Sequence, residues 1–319
     1  MGTGDGDAHH RRERVNETGG EAKVLRGLEL QQVLHLVAPS HRPLLIGGTP
    51  GLEAVAWMPT DEDPRAVAVR IENERGIEVF SINADSTGAA RGDGTHLLRW
   101  LKNDAIDRHR MLEVELVDDP SLPIRPLDLF REAGMPSPTA IRLMVTFGEK
   151  MYRATLSEEA ATNRDHPIGS WRSLPPDFRI VGWCECSEPQ REDLRARRED
   201  LQVYREVDPF DREFACEERT SLAILRGDQI VGWLISHIKN DGVLRQTVSY
   251  IDPRLQRFGL IYPAYVELIR RITTEIGFDM KMRFTVDLEH ARGLAAVVKR
   301  RWAPFADAVN TCWRSACRP

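Results

Sequence analysis

Two loops in this chain set basic side chains and glycine where a strand hands over to a helix. In the C-terminal half, Thr247–Ile251 reads as the end of a strand. It runs into Asp252-Pro253-Arg254-Leu255-Gln256-Arg257-Phe258-Gly259-Leu260, and a helix follows. Such a junction suits a phosphorylated group. The first N–H groups of a helix lack partners within it, and the aligned peptide dipoles place about half a positive charge there. Glycine lets the backbone approach an oxyanion with no Cβ in the way. Arg254 and Arg257 would add point and bidentate contacts to phosphate. The same residues also make an ordinary turn with solvated arginines, and one glycine-bearing turn does not separate the two readings. The N-terminal half carries a loop in the same position. There Gly76–Ile82 reads as the strand and Gly88-Ala89-Ala90-Arg91-Gly92-Asp93-Gly94-Thr95 as the loop. A helix follows whose Leu97, Leu98, Leu101 and Ala105 share one face.

The cysteines are a second group with chemical potential. Cys184-x-Cys186 and Cys312-x4-Cys317 would supply four thiolates. The first spacing is tighter than that of a zinc knuckle, so the thiols read as buried or surface groups, and no metal is expected. A cysteine nucleophile needs a paired histidine, and nothing in the sequence places one.

The elements that position these loops follow from the apolar pattern. Residues 1–20 are rich in Gly, Asp and Arg and are expected to be a disordered tail, with His9 and His10 solvated. Leu28, Leu30, Val33, Leu34 and Val37 space as a helix face that Pro39 stops. Leu44–Ile46, Ala54–Met58, Ala66–Ile71 and Gly76–Ile82 read as short strands divided by turn clusters. After the loop and helix come a strand at Met111–Val117, a helix at Pro126–Ala133 closed by Gly134, and a strand at Ala140–Phe147. Residues 157–177 hold few apolar side chains and three prolines, and read as a linker. Beyond it, Glu192–Tyr204 reads as a charged helix, with both signs mixed on a solvated face. Ser221–Leu225 and Ile230–His237 form a hairpin that turns at Gly227. Val243–Ile251 is a strand, Ile261–Ile276 an amphipathic helix capped by Gly277, Met282–Val286 a strand and Leu294–Arg301 a helix. The two halves thus share an order of elements, as a distant duplication would.

Composition bounds the function. The 319 residues fit about two domains. Lys plus Arg is 44 and Asp plus Glu is 49, so the net charge is 44 − 49 = −5. A mildly acidic chain is poorly suited to a polyanion, because phosphate neutralisation needs a basic surface. No apolar run approaches the ~20 residues of a bilayer span, and the first residues have no apolar signal segment. Five cysteines, an odd number, do not make a disulfide framework. Nucleic-acid and membrane partners are therefore not expected, and the reducing cytoplasm is the expected location.

Both loops resemble the acyl-CoA signature of the GNAT superfamily of N-acetyltransferases, Gln/Arg-x-x-Gly-x-Gly/Ala. Gln256-Arg257-Phe258-Gly259-Leu260-Ile261 matches the Gln and the first Gly, and departs at Ile261. Gly92-x-Gly94 matches both glycines, with Ala89 in place of Gln/Arg. Leu129–Met135 is similar to a helix-end region of that family, and the 222–233 hairpin to one of its strand pairs. The likeness covers most of residues 24–148 and 178–310. The second half also resembles GNAT domains of natural-product pathways, some of which take acyl groups from carrier proteins.

The resemblance implies an α/β chain of two tandem GNAT-like units, each a mixed central sheet with splayed parallel strands flanked by helices. Residues 21–156 would form the first unit, either degenerate or binding CoA structurally. Residues 178–319 would form the second, catalytic one. A pantetheine arm would lie between the splayed strands, held by Val248, Ser249 and Tyr250. Arg254 and Gln256 through Leu260 (Gln256, Arg257, Phe258, Gly259 and Leu260) would hold the pyrophosphate, with Arg91, Gly92 and Gly94 as their counterparts in the first unit. An amine would attack the thioester carbonyl directly. That step needs a base for the amine and a donor to the developing oxyanion. His237, at a strand end near the cleft, has the ordinary pKa for the task. Ser249 and His290 complete the candidate catalytic set. Glu217 and Glu218 read as a solvated pair, whereas Asp287 and Glu289 stand with His290 after the Met282–Val286 strand, where the resemblance implies that acceptors and thiolate leaving groups sit. The tyrosine acid common in the family has no match after Met282–Val286, and Tyr262 and Tyr265 read as structural.

The donor would be an acyl-CoA or an acylated phosphopantetheinyl carrier protein. Ile261 favours the carrier, which presents one phosphate where CoA presents a pyrophosphate. The acceptor would be an amine on a small molecule or peptide, plausibly in bacterial secondary metabolism. Two other readings remain at this point: a non-catalytic tandem GNAT fold that binds a ligand or partner, and an unrelated ATP- or NAD-binding α/β enzyme.

Overall fold

The computed structural model describes residues 20–59, 63–163, 174–203, 205–239 and 241–319. The expected tail lies outside the described residues apart from Gly20, as does the middle of the segment read as a linker. The chain forms two compact units. Unit 1 is Met1–Ala140 together with Cys312–Pro319, and unit 2 is Ile141–Thr311. The units therefore do not divide at 157–177. The cause is apolar: Phe147, Met151 and Tyr152, expected in the first unit, are buried in the core of the second, and Tyr152 Oη donates to Met280 O at 2.8 Å.

Unit 1 begins with β1 (Gly20–Leu25), α1 (Leu28–Val33) and α2 (Arg42–Ile46). The apolar run at 44–46 is thus helical rather than a strand. Pro43 sits in the first turn, where its fixed φ and missing N–H suit a helix, and Leu45 alone of the three is buried. Then follow β2 (Leu52–Pro59), β3 (Ala66–Asn73), β4 (Gly76–Ala84), α3 (Ser86–Arg91), α4 (Asp93–Asp107), β5 (Leu112–Asp118) and α5 (Pro126–Glu132). The strands are antiparallel from β1 to β4, and β4 and β5 are parallel. One sheet face buries Leu97, Leu98 and Leu101 of α4, and the other buries Leu30 and Val33 of α1. Each such leucine contributes about 1.5–3 kcal/mol.

Unit 2 takes β6 (Thr139–Phe147) from Ile141 on, then α6 (Glu149–Leu156), α7 (Glu158–Thr162), β7 (Phe178–Gly182) and α8 (Glu188–Ala196). β8 (Leu222–Arg226), β9 (Gln229–Ile238), β10 (Leu244–Ile251), α9 (Ile261–Arg271), β11 (Met282–Asp287) and α10 (Arg292–Val297) complete it. Its strands run in the order β6-β11-β10-β9-β8-β7. Only β10 and β11 are parallel among the neighbours from β6 to β7. α9 covers one face and α8 the other. A last strand, β12 (Ala308–Cys317), passes into unit 1 at Cys312 and lies beside β5 there. No helix among the described residues is long and apolar enough to cross a membrane.

Candidate functional site

The parallel strands of each unit pair over a short stretch and then part. In unit 2 the pairs are Leu244 with Met282, Arg245 with Arg283 and Gln246 with Phe284. β10 continues to Ile251 and β11 to Asp287 without further pairing. In unit 1 the last pair is Val79 with Val114. A β-bulge stands at each fork. Opposite β9, Gln246 faces Ser236 and Val248 faces Ile235, so Thr247 is the extra residue. Opposite β3, Val79 faces Arg70 and Ser81 faces Val69, so Phe80 is the extra residue. A bulge bends its strand and increases the twist, which turns β4 and β10 away from their parallel neighbours. The first residues past the last pair are Thr247 and Thr285 in unit 2, both exposed, and Phe80 and Glu115 in unit 1.

Beyond the fork of unit 2, the exposed Ser249 shares a hydrogen bond of 2.9 Å with the Tyr265 hydroxyl of α9. Burial raises the Tyr265 phenol above its ordinary pKa, and Ser249 offsets part of that rise. The phenol is therefore neutral and a standing donor. Its ring packs in a cluster with Phe284 and Trp302, centroids 6.2 and 5.8 Å away. Tyr265 thus does more than fill the core, and the sequence offered no sign of its pairing with Ser249. Val248 is buried, and its carbonyl accepts the Gln246 side-chain amide at 2.5 Å. The Tyr250 ring stacks on Trp233 at 4.4 Å, and its hydroxyl donates to Leu201 O. The side chains of Val248 and Tyr250 are thus committed to packing, leaving only strand backbone to offer an arm.

His237, at the end of β9, is half-buried. Its Nδ1 lies 2.9 Å from Thr247 Oγ1 and its Nε2 lies 3.3 Å from Phe214 O. Burial, then Lys239, lowers its pKa, and the backbone bonds to Phe214 and Arg212 offset part of the drop, so the neutral base is the form at pH 7. His290 is the third catalytic candidate. It sits on the exposed turn after β11, where its N–H donates to Asp287 Oδ1 at 2.9 Å and its Nδ1 lies 3.2 Å from the same atom. That local ring closure answers to Asp287, and the structure gives it no link to Ser249 or His237.

The loop after β10 is a 3₁₀ turn, Pro253–Phe258, which Asp252 starts and Gly259 ends at φ 65°. A Cβ at Gly259 would be strained by that φ and would come within 3.3 Å of the Tyr262 ring. The Arg254 guanidinium folds back on buried Asp252 at 2.7 Å. The bonds from Arg254 hold the Asp252 carboxyl below its ordinary pKa. Arg254 is therefore partly spent on its own turn. Gln256, Arg257 and Phe258 are exposed, with the Arg257 guanidinium 5.1 Å over the Phe258 ring. Leu260 is fully buried, so only its backbone faces the helix start.

The matching loop of unit 1 is differently built. Asp85 caps α3 by accepting from Gly88 N at 2.6 Å. That bond and the Arg65 ion pair lower its pKa. Gly92 takes φ 76° between α3 and α4. A Cβ at Gly94 would meet Ile124 Cδ1, the movable end of that side chain, at 2.7 Å. A cleft of about 160 Å³ opens beside Gly92 and Gly94, and Arg125, Asp128 and Glu132 line it. Arg125 pairs with Asp118 at 2.8 Å, Glu132 accepts from the Thr95 hydroxyl at 3.1 Å, and Asp93 is buried in the first turn of α4. Asp128 is paired with Arg131 at 2.6 Å, so both signs of charge surround this cleft. The Arg91 side chain lies outside the described residues.

All five cysteines are free thiols. Among the described residues no group of three or more His, Cys, Asp or Glu is arranged to hold a metal.

No family model matches the sequence, and no curated protein matches it closely. Solved structures do resemble the fold. A tandem GNAT protein from the clavulanic acid biosynthesis pathway is 12% identical, with a TM-score of 0.59 over 94% of this chain and 98% of that one. A GCN5-related N-acetyltransferase from Sphaerobacter thermophilus is 14% identical, with a TM-score of 0.57 over 96% and 98%. The chain has the tandem GNAT fold that the resemblance implied, with splayed parallel strands in both units.

Proposed function

We propose that unit 2 is an N-acyltransferase that moves an acyl group from a pantetheine thioester to an amine of a small molecule or peptide. The observation that carries this reading is the fork after Gln246 and Phe284. It leaves the backbone of Val248–Tyr250 without a strand partner on one side, and it leads directly to the turn bearing Arg257 and Gly259. An extended arm has a hydrogen-bonding edge there, and a phosphate has an exposed guanidinium beside a helix start. In this reading the amine nitrogen attacks the thioester carbonyl, its proton passes to His237, and the C–S bond breaks. Ser249, backed by the neutral Tyr265 phenol, is placed to donate to the departing thiolate. The donor is acyl-CoA or an acylated carrier protein. Ile261, half-buried against the core in place of a small residue, supports the carrier, whose single phosphate needs less room.

A specific observation favours a second reading for unit 1. Its cleft sets Asp128 and Glu132 beside Arg125, and its fork holds Phe80 and Glu115 in place of two threonines, so it serves as a non-catalytic binding or supporting unit.

The test is thiol release from acetyl-CoA in the presence of primary amines, compared with release from an acetylated carrier protein. Turnover that depends on His237 and Arg257 is expected, with the carrier the better donor. No turnover with either donor would overturn the transferase reading. Equal or better turnover with free acetyl-CoA would overturn only the carrier preference.

A further inference from the structure

Thr247 was not among the candidate residues, yet it stands at the crotch of the fork. It is the bulged residue of β10, exposed, and the first position past the last parallel pair. Its hydroxyl lies 2.9 Å from His237 Nδ1. The other ring nitrogen of His237 faces the Phe214 carbonyl at 3.3 Å. A carbonyl oxygen only accepts, so this contact calls for the Nε2–H tautomer, in which Nδ1 of the neutral ring carries the lone pair. In that tautomer the Thr247 hydroxyl donates to Nδ1; in the other it donates to Ile235 O, 3.0 Å away, and Nδ1–H donates to it. The carbonyl that calls for the Nε2–H tautomer is itself held in place. Ala215, the next residue, has a φ of 53°, a left-handed backbone rare outside glycine. A hydroxyl, a base at hydrogen-bond distance and a third group orienting that base make one array.

We propose that Thr247 is a catalytic residue of this chain: its hydroxyl takes the proton of the attacking amine while passing its own to His237 Nδ1. This rests on the transferase reading above. The balance is simple. The amine nitrogen forms the C–N bond and loses one proton to Thr247 Oγ1. Thr247 loses one to His237, and the sulfur leaves with the C–S electron pair. The imidazolium then returns its proton to water. His237 thereby acts through Thr247, which explains how a base whose two nitrogens are both engaged reaches the fork.

The charged groups around the ring agree with a neutral resting state. Burial and Lys239 disfavour the imidazolium, and the backbone bonds to Phe214 and Arg212 offset part of that. Opposite on β10, Arg245 is paired with Asp241 at 2.7 Å, and Arg283 of β11 lies 3.8 Å from Asp241. In the loop before β8, Glu217 is held by Arg219 at 2.6 Å and Glu213 by Arg191 at 2.7 Å.

Two measurements on the full chain decide the matter. The first is nitrogen NMR of histidine-labelled protein at pH 7.5. The expected result is His237 in the Nε2–H tautomer, with an Nδ1 shift that moves in Thr247→Val and not in Thr247→Ser. The opposite tautomer overturns the relay whatever the turnover. The second is thiol release from acetyl-CoA with benzylamine and triglycine as amine probes. Thr247→Ser should keep turnover within a few-fold. Thr247→Val should lose about 10²-fold in kcat at unchanged KM and lose the acid limb that His237 gives the pH profile. A valine variant as fast as wild type overturns the relay and leaves the transferase reading standing. No thiol release from wild type with either probe overturns the relay and counts against that reading as well.

Discussion

At the fork of unit 2 the two strands part between Thr247 and Thr285, and the turn beyond presents Arg257. At the fork of unit 1 they part between Phe80 and Glu115, and the cleft beside the turn beyond is lined by Arg125, Asp128 and Glu132. Glu115 is further tied to Arg314 of β12 at 2.9 Å. The backbone device is the same in both: a bulge at the end of a three-residue parallel pairing. Geometry alone therefore does not make a site. What separates the units is which side chains stand in the gap.

The comparison breaks most readily at the histidines. His237→Gln is expected to lower kcat by about 10²–10⁴-fold. His41→Gln in unit 1, whose ring lies 3.4 Å from Ser81, is expected to leave turnover unchanged. Steady-state thiol release checks both, and comparable losses would mean that the units share the work. Binding sharpens the same contrast. CoA at about 100 times its Kd should stabilise the protein by about 2.7 kcal/mol, read as a rise in Tm. Arg257→Glu should abolish that rise, and Gly92→Ala should leave it intact.

The capping carboxylates give smaller effects. Asp252→Asn should cost about 1.5–3 kcal/mol of stability in denaturant unfolding, as loss of hydrogen bonds to a charged group does. The folded pKa of Asp252 is depressed. Its contribution is thus full above the unfolded value of about 3.9 and disappears as pH falls through the lower folded value. The Asn variant should lose that part of the acid transition. Asp85→Ala should cost about 1 kcal/mol, the worth of a helix N-cap, with turnover untouched. A loss of activity there would show that the first loop binds donor after all.

The alternating strands, the amphipathic α4 and α9 and both strand-to-helix loops were legible in the sequence, because each obeys a local period or carries its own turn residue. The Thr247 bulge was not, since it exists only in the register between β9 and β10. Phe214 and Tyr265 were missed for the same reason: one acts through a backbone carbonyl, the other through Ser249, sixteen positions away. Gly94 matches a phosphate motif and also packs against the end of the Ile124 side chain. The boundary at 157–177 misled because low apolar content marks a surface segment, and the chain had already entered the second core at Phe147 and Met151.

The assignment of Cys312–Pro319 to unit 1 has a consequence for how the molecule is made. Unit 2 is drawn from one continuous stretch and has every residue it needs once Thr311 has been synthesised. Unit 1 is drawn from two pieces with all of unit 2 between them, so its own closure spans a long loop, which slows folding. On a ribosome the later-encoded unit is the one free to mature first, while the earlier one stands unfinished until Arg314 arrives to meet Glu115.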